Sequence, residues 1–387
     1  MDDETRLIRA GAPPAKLAKT VGPPIQKGST VLLPNAASLY DEDSYLTYGR
    51  QGLAAQQALQ DALAEMEGAK SVTLYPSGLS ALTGALLAVL KTGDEVLVTD
   101  AIYKPSRRFC DHVLTRFGVA VRYFAPDASP EALMETASPA TRLILMESPG
   151  SLTFEMQDMA RVAELARARG ILTAADNTWG AGYLVKPLAL GVDISIQALT
   201  KYAGGHSDVF MGSAAASDRK LVHALEQGVL HLGWAVPGED AYQMLRGLRT
   251  LPTRLAKQGE SGIAVAAWLR DQAEVAQVYH PALPGSPGHE LWARDYRGAC
   301  GLFGFALRQG PEAAVNAFLD ELTLFGLGFS WGGFESLAIS CDPQLKTRKI
   351  KRPYAGPLIR LHIGLENPDD LIADLKRALA AYAGHAG

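Results

Sequence analysis

The segment Ser195-Ile196-Gln197-Ala198-Leu199-Thr200-Lys201-Tyr202-Ala203-Gly204-Gly205-His206-Ser207-Asp208 decides how this chain is read. A short apolar stretch predicts a strand over 193–196. Thr200 and Lys201 follow it, then a glycine pair and a polar cluster. A lysine at a strand end that faces a cleft loses hydration. Its pKa falls and its amine becomes a nucleophile. Taken alone, the same residues also describe a surface lysine in a loop.

Upstream, Ala175-Asp176-Asn177-Thr178-Trp179 closes an apolar strand predicted over 171–175. Ligands of open parallel sheets bind at the carboxyl ends of strands, so Asp176 is either a helix cap or a site residue. Further upstream, Pro76-Ser77-Gly78-Leu79-Ser80 follows a strand over 71–75 and opens a helix over 79–90. Free N–H groups at the positive end of a helix suit a phosphate. An ordinary helix capped by Ser77 fits the same residues. No Gly-Lys-Ser/Thr follows, so this is not a P-loop.

The three motifs fall at the same edge of one sheet, and together they match pyridoxal 5'-phosphate (PLP). Its phosphate needs a helix N-terminus, its pyridine nitrogen an anion, and its aldehyde a lysine amine. A nicotinamide enzyme would instead show G-x-G-x-x-G after the first strand, and that fingerprint is missing.

Strands at 71–75, 95–99, 119–124, 142–147, 171–175, 193–196 and 211–216 alternate with helices, and several are continuously apolar. This predicts an α/β fold, a mostly parallel seven-stranded sheet with helices on both faces. After Ala241 the pattern changes. It predicts a long helix over 245–267 interrupted near Pro252, strands at 302–307 and 358–363, and a final helix over 368–383. The expected organisation is an irregular N-terminal arm (1–52), a PLP-binding domain (53–245) and a smaller α+β domain (246–387). The arm is punctuated by Pro13, Pro14, Pro23, Pro24 and Pro34 and has little core of its own. It should lie on its own domain or on a neighbouring subunit.

The wording of the motifs resembles the Cys/Met-metabolism family of PLP-dependent enzymes. The matching segments are Tyr48-Gly49-Arg50, Ser77-Gly78-Leu79, Tyr103, Asp176-Asn177-Thr178, Thr200-Lys201-Tyr202, Gly205-His206-Ser207-Asp208, Arg246 to Leu251, Gly333-Phe334-Glu335-Ser336 and Arg360 to Glu366. Ser195-Ile196-Gln197-Ala198 and Ser330-Trp331-Gly332-Gly333 resemble its cystathionine β-lyase branch. The resemblance implies the aspartate-aminotransferase-like fold type I and an α,β-elimination on an amino-acid substrate. The γ-acting members, cysteine desulfhydrase activity and a PLP-binding regulator without turnover stand as alternatives.

By the same resemblance, Lys201 links to the cofactor and then moves the substrate α-proton. Asp176 pairs with the pyridinium N–H. Gly78, Leu79 and Thr200 hold the phosphate, and Tyr103 stacks on the ring. Tyr48 and Arg50 reach the phosphate of a neighbouring subunit, within an expected homotetramer of active dimers. Tyr48 is also expected at the substrate. Arg360 clamps the substrate α-carboxylate, while Ser330 and Trp331 line the pocket. Two departures stand out. Ala198 lacks a phosphate-binding hydroxyl usual in the family, and Lys104-Pro105-Ser106-Arg107-Arg108 is unusually basic.

Composition narrows the field further. The chain has 387 residues, 48% hydrophobic and 20% charged, with a net charge of −4. That content argues against a disordered chain, and the charge against a nucleic-acid binder. Cys110, Cys300 and Cys341 are too scattered for a disulfide framework or a zinc knuckle. His206-Ser207-Asp208 lacks a second histidine at ligand spacing, so no metal is expected. No apolar run is long enough to span a bilayer, and the N-terminus lacks the apolar stretch of a signal peptide. A cytoplasmic enzyme without membrane or nucleic-acid partners is expected.

Overall fold

The protein is described from a computed structural model covering residues 20–41 and 44–386. Residues 1–19 of the expected arm lie outside the described residues. Seven strands form the larger sheet: β1 (Ser71–Tyr75), β2 (Glu95–Thr99), β3 (Ala120–Phe124), β4 (Thr141–Glu147), β5 (Leu172–Asp176), β6 (Ile194–Gln197) and β7 (Gly212–Ala216). Their order is β1-β7-β6-β5-β4-β2-β3. The run from β3 to β6 is parallel, and β7 is antiparallel to both its neighbours. Every residue of β2, β6 and β7 is buried, which fits the small and apolar residues that dominate these strands. The edge strand β3 alternates instead, with one face toward solvent.

A smaller sheet holds β8 (Val275–Tyr279), β9 (Leu302–Leu307), β10 (Gly326–Leu327), β11 (Leu337–Ser340) and β12 (Leu358–His362) in the order β10-β11-β12-β9-β8. Its own core gathers Phe303, Phe305, Phe318, Leu361 and Leu375, with helices Glu312–Glu321 and Pro368–Ala386 packed together over it. Among the described residues of the arm there are two 3₁₀ turns and one isolated bridge between Thr30 and Tyr48. Val21, Leu32 and Tyr40 stand almost fully exposed there.

One helix corrects the sequence reading. Gly238–Arg270 runs 33 residues without a break, straight through Pro252. Pro252 has no N–H to give to the Leu248 carbonyl. Neighbouring groups hold the helix together at that turn. Arg254 Nη2 and Thr250 Oγ1 donate to the Gly247 carbonyl at 2.8 and 3.1 Å, and Arg254 Nη1 donates to the Tyr202 carbonyl at 2.7 Å. The expected boundary between 245 and 246 falls inside this helix. The helix expected over 105–117 is also not uniform. It is α-helical over Lys104–Phe109, then a π turn over Cys110–Leu114 and a 3₁₀ turn over Thr115–Phe117.

Gly247 brings the long helix directly onto the segment that follows Lys201. A Cβ at Gly247 would stand 2.4 Å from the Gly204 carbonyl oxygen and 2.6 Å from that of Ala203. On an exposed helix, Gly→Ala would stabilise by about 1 kcal/mol. Here we expect the opposite sign: Gly247→Ala should cost about 1–3 kcal/mol by overpacking. Thermal unfolding reads the sign directly. A raised midpoint would mean that the helix is free to shift off the lysine loop.

Candidate active site

Asp176 is the last residue of β5, and its carboxylate is tied by its own turn. Thr178 donates to Asp176 Oδ1 twice, from its backbone N–H at 3.0 Å and from its hydroxyl at 2.5 Å. The same hydroxyl accepts the Ala198 N–H at 2.9 Å, which joins the acid to the loop leading to Lys201. Burial raises the Asp176 pKa, while the Thr178 bonds and the Lys201 charge act against that rise. A cationic N–H placed against this carboxylate would hold it ionised.

Lys201 points into the same cavity, where its Nζ donates to Ser330 Oγ at 2.9 Å and lies 5.3 Å from the Trp331 ring centroid. Burial, reinforced by the Arg360 charge and opposed by Asp176, brings its pKa down to about 8. Such an amine is largely poised between base and acid near neutral pH. Arg360 is central in β12 and buried. Its Nη2 donates to the carbonyls of Phe329 and Ser330 at 3.2 and 3.1 Å, which orients the guanidinium.

The helix Gly78–Val89 aims its N-terminus at the cavity, and Ser77 caps it by accepting the Ser80 N–H at 3.1 Å. A Cβ on Gly78 would stand 2.3 Å from Ala198 Cβ, so glycine is what lets the helix start sit against the strand-end loop. Thr200 Oγ1 accepts the Met211 N–H at 3.0 Å and donates to the Met211 carbonyl at 3.2 Å, a bond its hydroxyl would exchange to reach a phosphate. A helix N-terminus, a buried acid and a desolvated lysine thus line one cavity, and PLP fits this donor set.

The cavity has a volume of about 340 Å³, and Ser77, Gly78, Leu79, Tyr103, Asp176, Ala198, Thr200, Lys201, Ser330, Trp331 and Arg360 all line it. Tyr103 is held by its backbone, whose N–H donates to Glu147 Oε2 at 2.7 Å. Burial and the Asp176 and Glu147 charges raise the phenol's pKa, so Tyr103 keeps its proton at neutral pH. Tyr48 and Arg50 do not line this cavity within the described chain. Arg50 Nη1 donates to the Leu230 carbonyl at 2.9 Å, and its guanidinium lies 5.9 Å from the Tyr48 ring centroid.

The structure adds residues that the sequence reading passed over. Glu147 ends β4 and sits opposite Asp176 in the sheet register. Burial first, and the neighbouring Asp176 second, hold its carboxyl well above the usual range. The strand-end rule that picked out Asp176 would have found it. Ser151, Phe154, Phe210 and Phe329 also line the cavity. They come from loops with no pattern of their own, so nothing local marked them. Among the described residues, no group of three or more His, Cys, Asp or Glu stands close enough to hold a metal ion. None of the described helices is long and apolar enough to cross a membrane.

Comparison with known proteins gives the same picture. The family model described as Cys/Met metabolism PLP-dependent enzyme matches residues 4–380. A cystathionine beta-lyase of Bordetella avium is 41% identical, over 94% of this chain and 92% of its own. Cystathionine beta-lyase MetC of Escherichia coli is 39% identical, over 97% and 98%. A crystal structure of cystathionine gamma synthase from Xanthomonas oryzae pv. oryzae superposes with a TM-score of 0.86 at 33% identity, covering 94% of both chains. The fold, the cavity and these matches agree, and the chain belongs to the Cys/Met metabolism family of PLP-dependent enzymes.

Proposed function

We propose that the protein is a cystathionine β-lyase, converting L-cystathionine and water into L-homocysteine, pyruvate and ammonia. The observation that carries this reading is the placement of Lys201, Asp176 and Arg360 around one cavity, with Ser330 and Trp331 against the lysine. Beta-lyases at 39–41% identity support the choice within the family.

Bound PLP supplies the electron sink for the pair left when the Cα–H bond breaks. Asp176 keeps the ring nitrogen protonated. Gly78, Leu79 and Thr200 would hold the phosphate, and Tyr103 would pack against the ring. Arg360 clamps the substrate α-carboxylate, with its fork aimed by the Phe329 and Ser330 carbonyls. Lys201 takes the α-proton as a free amine. The Cβ–S bond then breaks, and the leaving homocysteine thiolate takes a proton from the lysine ammonium. Released 2-aminopropenoate reacts with water to give pyruvate and ammonia. Ser330 and Trp331 bound the substrate pocket, with Tyr48 completing it from the neighbouring subunit. Tyr48 and Arg50 serve the neighbouring subunit's cavity in a homotetramer of active dimers, which gives the coreless arm its purpose. The enzyme's place is the cytoplasm.

The fold match to a gamma synthase supports a second reading, γ-elimination or γ-replacement. Incubation with L-cystathionine separates them. We expect pyruvate and homocysteine; 2-oxobutyrate and cysteine would place the enzyme on the γ side.

Asp176→Asn should still bind PLP but lose about 10²-fold or more in kcat, because a neutral amide cannot hold the proton on the ring nitrogen. Near-normal kcat would reduce Asp176 to a turn-forming residue.

Arg50 should act across a subunit boundary. Arg50→Ala and Lys201→Ala, each inactive, are mixed by partial unfolding and reassembly. In a mixed dimer one site carries both defects and the other neither. About a quarter of all sites should recover by random pairing. No return of activity in proven hybrids would assign Arg50 to its own subunit.

A further inference from the structure

A segment of the smaller domain between β11 and β12 reaches back onto the larger one. At its centre is Arg348, buried although it touches none of the groups assigned above. Its Nη2 donates to the Ser151 carbonyl and to Thr153 Oγ1, both at 2.7 Å. Its Nη1 donates to the Tyr354 hydroxyl at 3.0 Å and lies 3.5 Å from Glu155 Oε1. The two residues that follow donate their backbone N–H groups to Asp100, Lys349 at 3.1 Å and Ile350 at 2.8 Å. Asp100 in turn takes the Arg107 guanidinium at 2.7 Å, on the short helix that starts beside Tyr103. One strap thus ties down two walls of the active-site cavity.

The wall that Arg348 holds needs holding. Leu152 and Phe154 have φ of 71° and 59°, left-handed backbone that non-glycine residues adopt only where their surroundings impose it. Ser151, Leu152 and Phe154 all line the cavity. The Ser151 side chain and the Arg348 charge both act to keep Glu147 ionised, against its burial and against Asp176. Glu147 is the group that holds the Tyr103 N–H. A chain of hydrogen bonds to Tyr103 runs from the strap through Asp100 to Arg107, whose backbone N–H donates to the Tyr103 carbonyl at 3.1 Å.

We propose that Arg348 is a positioning residue for PLP and substrate. Its planar fork pins the strained Ser151–Phe154 turn and so sets that cavity wall, while the N–H groups beside it fix, through Asp100 and Arg107, the helix that starts beside Tyr103. A guanidinium suits this task, because two acceptors must be held by one rigid plane. Arg348 acts only through these groups and reaches no reacting atom.

The test compares Arg348→Ala and Arg348→Lys with the wild-type holoenzyme. It reads the PLP dissociation constant, then KM and kcat on L-cystathionine, with and without low millimolar guanidinium ion. In Arg348→Ala we expect both the PLP dissociation constant and KM to rise about tenfold, with kcat within about threefold, the pattern of lost uniform binding. Guanidinium should restore both, and Arg348→Lys should fall between, since an ammonium is a point charge without the fork. An unchanged PLP dissociation constant would overturn the proposal. So would losses that guanidinium does not relieve and that follow a fall in the thermal midpoint. Only the kinetic arm rests on the β-lyase reading. If the wild-type enzyme releases no pyruvate, that reading falls, and PLP binding alone decides the role of Arg348.

Discussion

A single hydroxyl, Thr178 Oγ1, ties the two halves of the chemistry together. It donates to the Asp176 carboxylate and accepts the Ala198 N–H, so the end of β5 and the loop after β6 are fixed to each other at hydrogen-bond precision. The acid ends β5 and the lysine follows β6, its parallel neighbour, so their separation follows from strand spacing plus this bridge. The remaining parts of the cavity are arranged around that fixed pair.

Burial shapes the charges at this point. Asp176 and Glu147 stand side by side at strand ends, and desolvation raises both carboxyls. Lys201 is lowered by the same burial, with Arg360 adding to the effect. Two acids that resist ionisation and an amine that resists protonation make a cavity that gains from a ligand bringing its own charges. A zwitterionic amino acid and a phosphate-bearing pyridine are such ligands.

The second domain contributes by contact, with the lysine as the meeting point. Ser330 and Trp331 lie on the loop before β11, and Arg360 lies on β12. All three reach the cavity because the long helix Gly238–Arg270 is seated on the lysine loop at Gly247 and on the smaller sheet further along. Pro252 does not break that helix. Hydrogen bonds from Arg254, to the Gly247 carbonyl of its own helix and to the Tyr202 carbonyl across the fold, outweigh the local preference against proline.

Much of this was legible in the sequence. Strands at 71–75, 95–99 and 302–307 matched their observed bounds, because short segments rich in apolar and β-branched residues between turn residues leave few alternatives to a buried strand. Lys201, Asp176 and Gly78 could be found because a parallel sheet delivers strand ends to one edge, and chain order is enough to say which ends those are. The resemblance in wording supplied Arg360, Ser330 and Trp331. Other features were decided only by tertiary structure. Glu147 matters because β4 pairs with β5, a pairing that no local pattern encodes. The strand β11 and the two-residue β10 are too short to carry a period. The continuity of the helix through Pro252 depends on Arg254 reaching the Tyr202 carbonyl, 52 residues away along the chain. The grip of Arg348 on the cavity wall spans 197 residues. Sequence period reports what a residue's own strand or helix requires. Contacts across such separations come from how the elements pack, and only the folded chain holds them.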